Sequence, residues 1–205
     1  MQNERHSRVW VEAVPQEETR AAGADGRTLQ LRGYAILWNS ESEVMGSFIE
    51  TIDPRALDHL GDLNALDVRM QCDHEGKAIA RTTNGSLRLT KDNRGVAFNA
   101  DLDSRRSDSK DLYFAVERGD ITNMSFGFIV GAEDVDDDKT PVRVHITKIK
   151  RLLEISPVNY AAYPETTVEA VPSDDDEIVE AECHPEDEER AWEAEILRKR
   201  LNLER

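Results

Sequence analysis

The chain has 205 residues, 42 of them acidic and 26 basic, for a formal net charge of −16. That length suits one domain with extensions and is enough to bury a sizeable core. The charge has the wrong sign for gripping phosphate backbones, which are met by Lys and Arg, so direct nucleic-acid binding is disfavoured.

No apolar run approaches the ~18 residues of a membrane span, and Met1-Gln2-Asn3-Glu4-Arg5-His6 leads into no apolar signal-peptide core. A soluble protein that works where it is made, with no membrane partner, is therefore expected. Cys72 and Cys183 form no CxxC or zinc-finger spacing and read as two reduced thiols of a cytosolic protein.

Residues 1–28 read as a polar leader, broken by Pro15, Gly23 and Gly26 around a short apolar patch at Val9-Trp10-Val11. The organised domain is expected over 29–172. Leu29 to Trp38 alternates and then runs apolar, as a strand entering a core does. Phe48–Ile52 reads as a second strand. Asp53-Pro54 then predicts a short helix through Ala56, Leu57 and Leu60, with Asp53 as N-cap. Asp67–Cys72 alternates again and runs directly into Asp73-His74-Glu75-Gly76.

Two strands, Ser86–Thr90 and Gly95–Asp101, are joined by the polar connection Lys91–Arg94. A helix is predicted from Ser107 to Arg118, capped by Ser107 or Asp108, with Leu112, Ala115 and Val116 on one face. Ile121–Val130 and Val142–Ile155 read as strands with an acidic loop, Glu133–Asp138, between them. Beyond Pro164 the character changes. Residues 173–189 hold ten acidic residues and no Lys or Arg, and read as a disordered linker. Residues 190–205 read as a short amphipathic helix with a stripe of Trp192, Ile196, Leu197 and Leu201. The body is thus a β-rich α+β domain, expected to form a barrel or strongly bent sheet with a few helices.

Chemistry near neutral pH points first to histidine. Of five, His6 lies in the leader, His184 in the acidic tail and His59 on a short helix. His145 alternates within a strand. His74 sits where a strand ends in a loop, a place that holds a group firmly while leaving its tip exposed. Ser125 lies among Met124, Phe126 and Phe128, where a hydroxyl is either used or bonded internally. Gly127 could let a substrate chain approach closely. This is not the G-x-S-x-G elbow, and the residues alone leave a satisfied core serine open. Glu154 interrupts the apolar run Leu152-Leu153-Glu154-Ile155, where a carboxylate either lies on a polar strand face or orients an imidazole.

Taken in order, these segments resemble the prohead (capsid maturation) proteases of HK97-type tailed phages. The resemblance is carried by Gly33–Asn39, Phe48–Leu57, Asp67–His74, Gly85–Leu89, Gly95–Phe98, Arg118–Phe128, Leu153–Val158 and Ala162–Val168. It implies a fold like that of the herpesvirus assemblins, a β-barrel surrounded by helices. It further implies a serine endopeptidase with His74 as base, Ser125 as nucleophile and Glu154 as acidic third member, needing no cofactor. Asp73, Glu75 and Glu165 are competing carboxylates. The implied partners are the major capsid protein, whose scaffolding segment is the substrate, and the chain itself through autoproteolysis. A homodimer is compatible with the resemblance, and the implied location is the prohead interior in the host cytoplasm.

Two other readings compete. One is an inactive assembly or scaffolding protein that keeps the fold. The other is a metal hydrolase using Cys72, Asp73, His74 and Glu75, perhaps with Cys183 and His184, although strand neighbours point alternately and cannot all face one ion.

Overall fold

The structure, a computed structural model, describes residues 29–171. In chain order the strands are β1 (Leu29–Leu37), β2 (Phe48–Ile52), β3 (Arg69–Cys72), β4 (Glu75–Arg81), β5 (Leu87–Lys91) and β6 (Gly95–Leu102). Helix α1 (Ser107–Glu117) comes next, and then β7 (Asn123–Asp136), β8 (Val142–Val158) and β9 (Thr167–Val171). One sheet has the order β5-β6-β1-β9. The other has the order β2-β8-β3-β4, and β7 pairs with β8 along its opposite edge. Alternating apolar residues of both sheets, among them Leu31, Ile36, Phe98, Met70, Met124, Ile149 and Ile155, meet in one continuous core.

The closed barrel expected from the resemblance does not form among the described residues. The strands make two separate sheets, linked by isolated main-chain bonds such as Asn39 N–H to Ile52 O (2.9 Å) and Val168 N–H to Thr122 O (3.1 Å). The physical reason is visible at Met124. Met124 and Pro157 form a non-hydrogen-bonded pair of the β7–β8 ladder, so the main-chain groups of Met124 point away from β8. Pro157 O accepts from Asp73 N–H (3.0 Å) on the far side. The Met124 groups are taken by the Thr166 hydroxyl, which accepts from Met124 N–H (2.9 Å) and lies 2.7 Å from Met124 O. A side chain thus satisfies the edge that a closing strand would have used.

Three further expectations are corrected. The Asp53–Leu60 stretch is a run of turns ending in a single 3-10 turn at Asp58–Leu60, not a helix. The Asp53 carboxylate accepts from Arg55 N–H (2.7 Å) within the first turn, but the 3-10 turn itself follows Leu57 without a side-chain cap and ends at Gly61. Most of the supposed acidic loop is strand: β7 runs to Asp136, its exposed acidic residues paired across to β8. Helix α1 is capped at Arg106 with no side-chain bond; Asp108 pairs with Arg106 instead (2.6 Å). β4 and β9 are strands that the sequence pattern does not announce. The leader, the acidic linker and the 190–205 helix lie outside the described residues.

Helix α1 sets the entry point of β7. Leu112, Tyr113 and Val116 are buried, and the Tyr113 hydroxyl donates to Val171 O (3.1 Å), tying the helix to β9. The helix ends in a Schellman motif: Gly119 N–H bonds Val116 O (3.0 Å) and Asp120 N–H bonds Ala115 O (2.8 Å). Gly119 supplies the left-handed backbone this ending needs (φ 81°). The chain is thereby turned straight into β7, which carries Ser125. Among the described residues no helix is long and apolar enough to cross a membrane.

Candidate active site

The site is built on three adjacent strands, β7, β8 and the end of β3. In the antiparallel β7–β8 ladder Ser125 lies opposite Ser156, and Gly127 lies opposite Glu154. Directly opposed residues project from the same face, so these four positions form one patch. The intervening Met124, Phe126 and Ile155 project into the core, where Phe126 stacks on Tyr163 with centroids 5.1 Å apart. Ser125 is itself largely covered, at 7% exposure.

On the other side of β8, β3 runs parallel with Arg69 beside Glu154 and Met70 beside Ile155. Continuing that register brings the end of β3 level with Pro157. There Asp73 and His74 form the two-residue turn between β3 and β4, flanked by the pair Cys72–Glu75. Both turn residues are left-handed (φ 48° and 63°), as a type I′ hairpin turn requires. Asp and His tolerate that region better than most side chains, at a cost of roughly 1 kcal/mol each. The cost is met by anchoring. Asp73 N–H bonds Pro157 O (3.0 Å), and the Asp73 carboxylate accepts from Asn159 N–H (2.9 Å) and Asn159 Nδ2 (2.6 Å).

The turn delivers the His74 ring to Glu154, with Nδ1 2.7 Å from Oε1. The second oxygen, Oε2, accepts from the Ser156 hydroxyl at 2.6 Å. The Glu154 side chain is 12% exposed and the His74 side chain 44%. An ionised carboxylate only accepts, so Nδ1 carries the proton and Nε2 presents a lone pair. That is the tautomer a general base needs.

Gly127 makes room for this arrangement. A Cβ added there would lie 2.4 Å from Glu154 Oε1 and 3.2 Å from its Cδ and Cγ. The expectation that Gly127 opens space for a substrate chain is therefore corrected: the atom that fills the space is the carboxylate oxygen of Glu154.

Of the expected trio, the structure joins His74 to Glu154 by a direct bond and sets Ser125 on the same strand face as Glu154. The competing carboxylates Asp73 and Glu165 are otherwise engaged. Asp73 holds Asn159, and Glu165 accepts from the Ser40 hydroxyl (2.9 Å). His145 lies elsewhere, between Thr51 (2.8 Å) and Asp53 (3.3 Å). Cys72 carries a free thiol that burial pushes above its ordinary range, the opposite of an activated nucleophile. Among the described residues no three of His, Cys, Asp and Glu gather closely enough to hold a metal ion.

Ser156, Asn159 and Thr166 carry no sequence motif that singles them out. Thr166 is 1% exposed, and besides Met124 it reaches Tyr163 O (2.7 Å). Asn123 adds bonds to Pro164 O (2.8 Å) and Thr166 O (2.9 Å), so the backbone just before Ser125 is clamped to the 163–166 loop. Hydrogen bonds between segments so far apart in the chain leave no local pattern in a sequence.

A family model described as caudovirus prohead serine protease matches residues 16–180. No curated protein matches the chain. Among solved structures it is similar to that of the KSHV protease in complex with a hexapeptide phosphonate inhibitor. The identity is 10% and the TM-score 0.44, with 71% of this chain and 66% of that one covered, so slightly under two thirds of that protease is spanned. On the family match, which extends over most of its length, the chain belongs to the caudovirus prohead serine proteases.

Proposed function

We propose that the chain cleaves the scaffolding segment of its phage's major capsid protein inside the prohead, and then itself, with Ser125 as nucleophile. The observation that carries this reading is the 2.7 Å bond from His74 Nδ1 to Glu154, made beside the strand face that bears Ser125. His74 Nε2 takes the Ser125 proton as Oγ attacks the peptide carbonyl, and Glu154 stabilises the imidazolium that results. His74 then protonates the leaving amine, the peptide C–N bond breaks and an acyl-enzyme remains. Water activated by the same imidazole hydrolyses the ester and returns the proton to Ser125.

Such an acid–imidazole pair speeds acyl transfer by holding tautomer and direction; removing the acid typically costs about 10⁴ in rate. The acidic stretch 173–189 and the Trp192–Leu201 stripe are the segments proposed to be released by self-cleavage.

Co-expression with the cognate major capsid protein tests the reading. Wild type shortens the capsid protein and its own chain, and Ser125→Ala leaves both at full mass. Shortening that persists in Ser125→Ala would refute the assignment of Ser125. A full-length capsid protein beside an active, self-trimmed protease would refute the substrate.

A further inference from the structure

Ser156 stands directly across the ladder from Ser125, yet it is fully buried and its hydroxyl is committed to Glu154. A buried serine on a strand usually satisfies itself on a nearby carbonyl. Here it donates instead to Oε2, while Oε1 accepts from His74. Each carboxylate oxygen therefore has its own donor, and the missing side chain of Gly127 leaves the room that Oε1 occupies. A glutamate has three side-chain torsions, and a single bond to His74 would leave it free to swing. The second bond removes that freedom.

We propose that Ser156 is a positioning residue of the active site, fixing the Glu154 carboxylate so that it aims His74. The inference rests on the proposed catalytic roles of Ser125, His74 and Glu154 and adds a fourth member to them. The Ser156 hydroxyl is committed to Glu154 and buried, so it does not itself attack substrate.

The test uses the full chain and two readouts. The first is the rate at which a small fluorophosphonate phosphonylates the serine, the P–F bond breaking as the O–P bond forms, resolved into its maximal rate and its half-saturating concentration. Losing one aligned hydrogen bond to a charged group corresponds to roughly a 10-fold slower maximal rate in Ser156→Ala. Half-saturation should be unchanged, and Ser156→Thr, which keeps the hydroxyl, should recover most of the rate. The second readout is the downfield proton resonance of His74 Nδ1–H, recorded in the Ser125→Ala background so that it is independent of the probe reaction. Adding Ser156→Ala should broaden it and move it upfield, toward the loss seen with Glu154→Gln.

An unchanged resonance in a folded Ser156→Ala chain overturns the proposal, whether or not the protein reacts with the probe. So does a Ser156→Ala loss as complete as that of Ser125→Ala, which would make Ser156 the nucleophile. Wild type that fails to react at all, with a resonance still dependent on Ser156, would defeat the Ser125 reading while leaving the positioning role in place.

Discussion

Gly127 and Glu154 face each other across the β7–β8 ladder, and the carboxylate of one occupies the space left by the missing side chain of the other. The glycine in Met124-Ser125-Phe126-Gly127-Phe128 therefore makes room for the Glu154 carboxylate, which lies 27 positions later in the chain.

Gly127→Ala is the substitution this packing singles out. No left-handed backbone is required there, and the group displaced is the end of a flexible side chain, so the protein should fold with little loss of stability. The carboxylate must leave its 2.7 Å contact with His74, however, and acylation should slow by roughly 10- to 100-fold. Wild-type acylation kinetics in this variant would contradict the packing argument.

The β3–β4 turn offers a paired test. Asp73→Ala loses both bonds to Asn159 and the residue's tolerance of φ 48°, and should lower stability by about 1–3 kcal/mol along with activity. Asp73→Asn keeps one of the two acceptors and suits the left-handed region at least as well, so it should lose less stability than Asp73→Ala. Chemical denaturation and acylation rates of the two variants distinguish an anchored turn from a general need for acid at this position.

Thr166→Val keeps the shape but strips the hydroxyl shared by Met124 N–H, Met124 O and Tyr163 O. A buried main-chain donor next to Ser125 is left without a partner, which costs about 1–3 kcal/mol. Hydrogen exchange at the Met124 amide should accelerate well before that of β1 and β6. Uniform acceleration across both sheets would show that Thr166 contributes only to global stability.

Glu50 gives a pH signature away from the chemistry. Burial pushes its carboxyl above the ordinary range; the hydrogen bond from the Tyr163 hydroxyl offsets part of this, and the nearby Glu133 charge adds to it. A carboxyl raised in the folded state holds its proton there after the unfolded chain has lost it. Stability contributed by that proton is present below the ordinary carboxylate range and is lost as pH rises through the folded value. Glu50→Gln keeps an acceptor for Tyr163 without the charge, so it should melt higher than wild type at neutral pH and match it in acid. Parallel melting curves at every pH would contradict this.

How much of this was legible in the sequence varies by element. β1, β2, β6 and α1 declare themselves through their alternation or 3.6-residue period, and in the β5–β6 turn Asp92 accepts from Arg94 N–H and Gly95 N–H as its turn chemistry predicts. β4 does not, since Glu75-Gly76-Lys77 is exposed and its buried part rests on Ile79 and the small Ala80. β9 was obscured by the acidic run that comes after it.

In the candidate site, residue chemistry singles out His74, Ser125 and Glu154 with alternatives left open, and only the resemblance joins them into one set. Spacing alone cannot say that residues 80 apart share a hydrogen bond. Ser156 and Thr166 were hidden for a different reason: a serine or threonine in a strand looks the same whether its hydroxyl meets water, a carbonyl or a carboxylate. Barrel closure is not legible in the sequence because it depends on edge hydrogen bonds, and here one edge ends on the Thr166 side chain.

The most direct test of the central claim is the location of a covalent fluorophosphonate adduct, read by intact mass and peptide mapping of the full chain. One adduct per chain is expected, on Ser125, formed rapidly in wild type, far more slowly in His74→Ala and not at all in Ser125→Ala. An adduct on Ser156 or another residue, or labelling that His74→Ala leaves untouched, would contradict the claim.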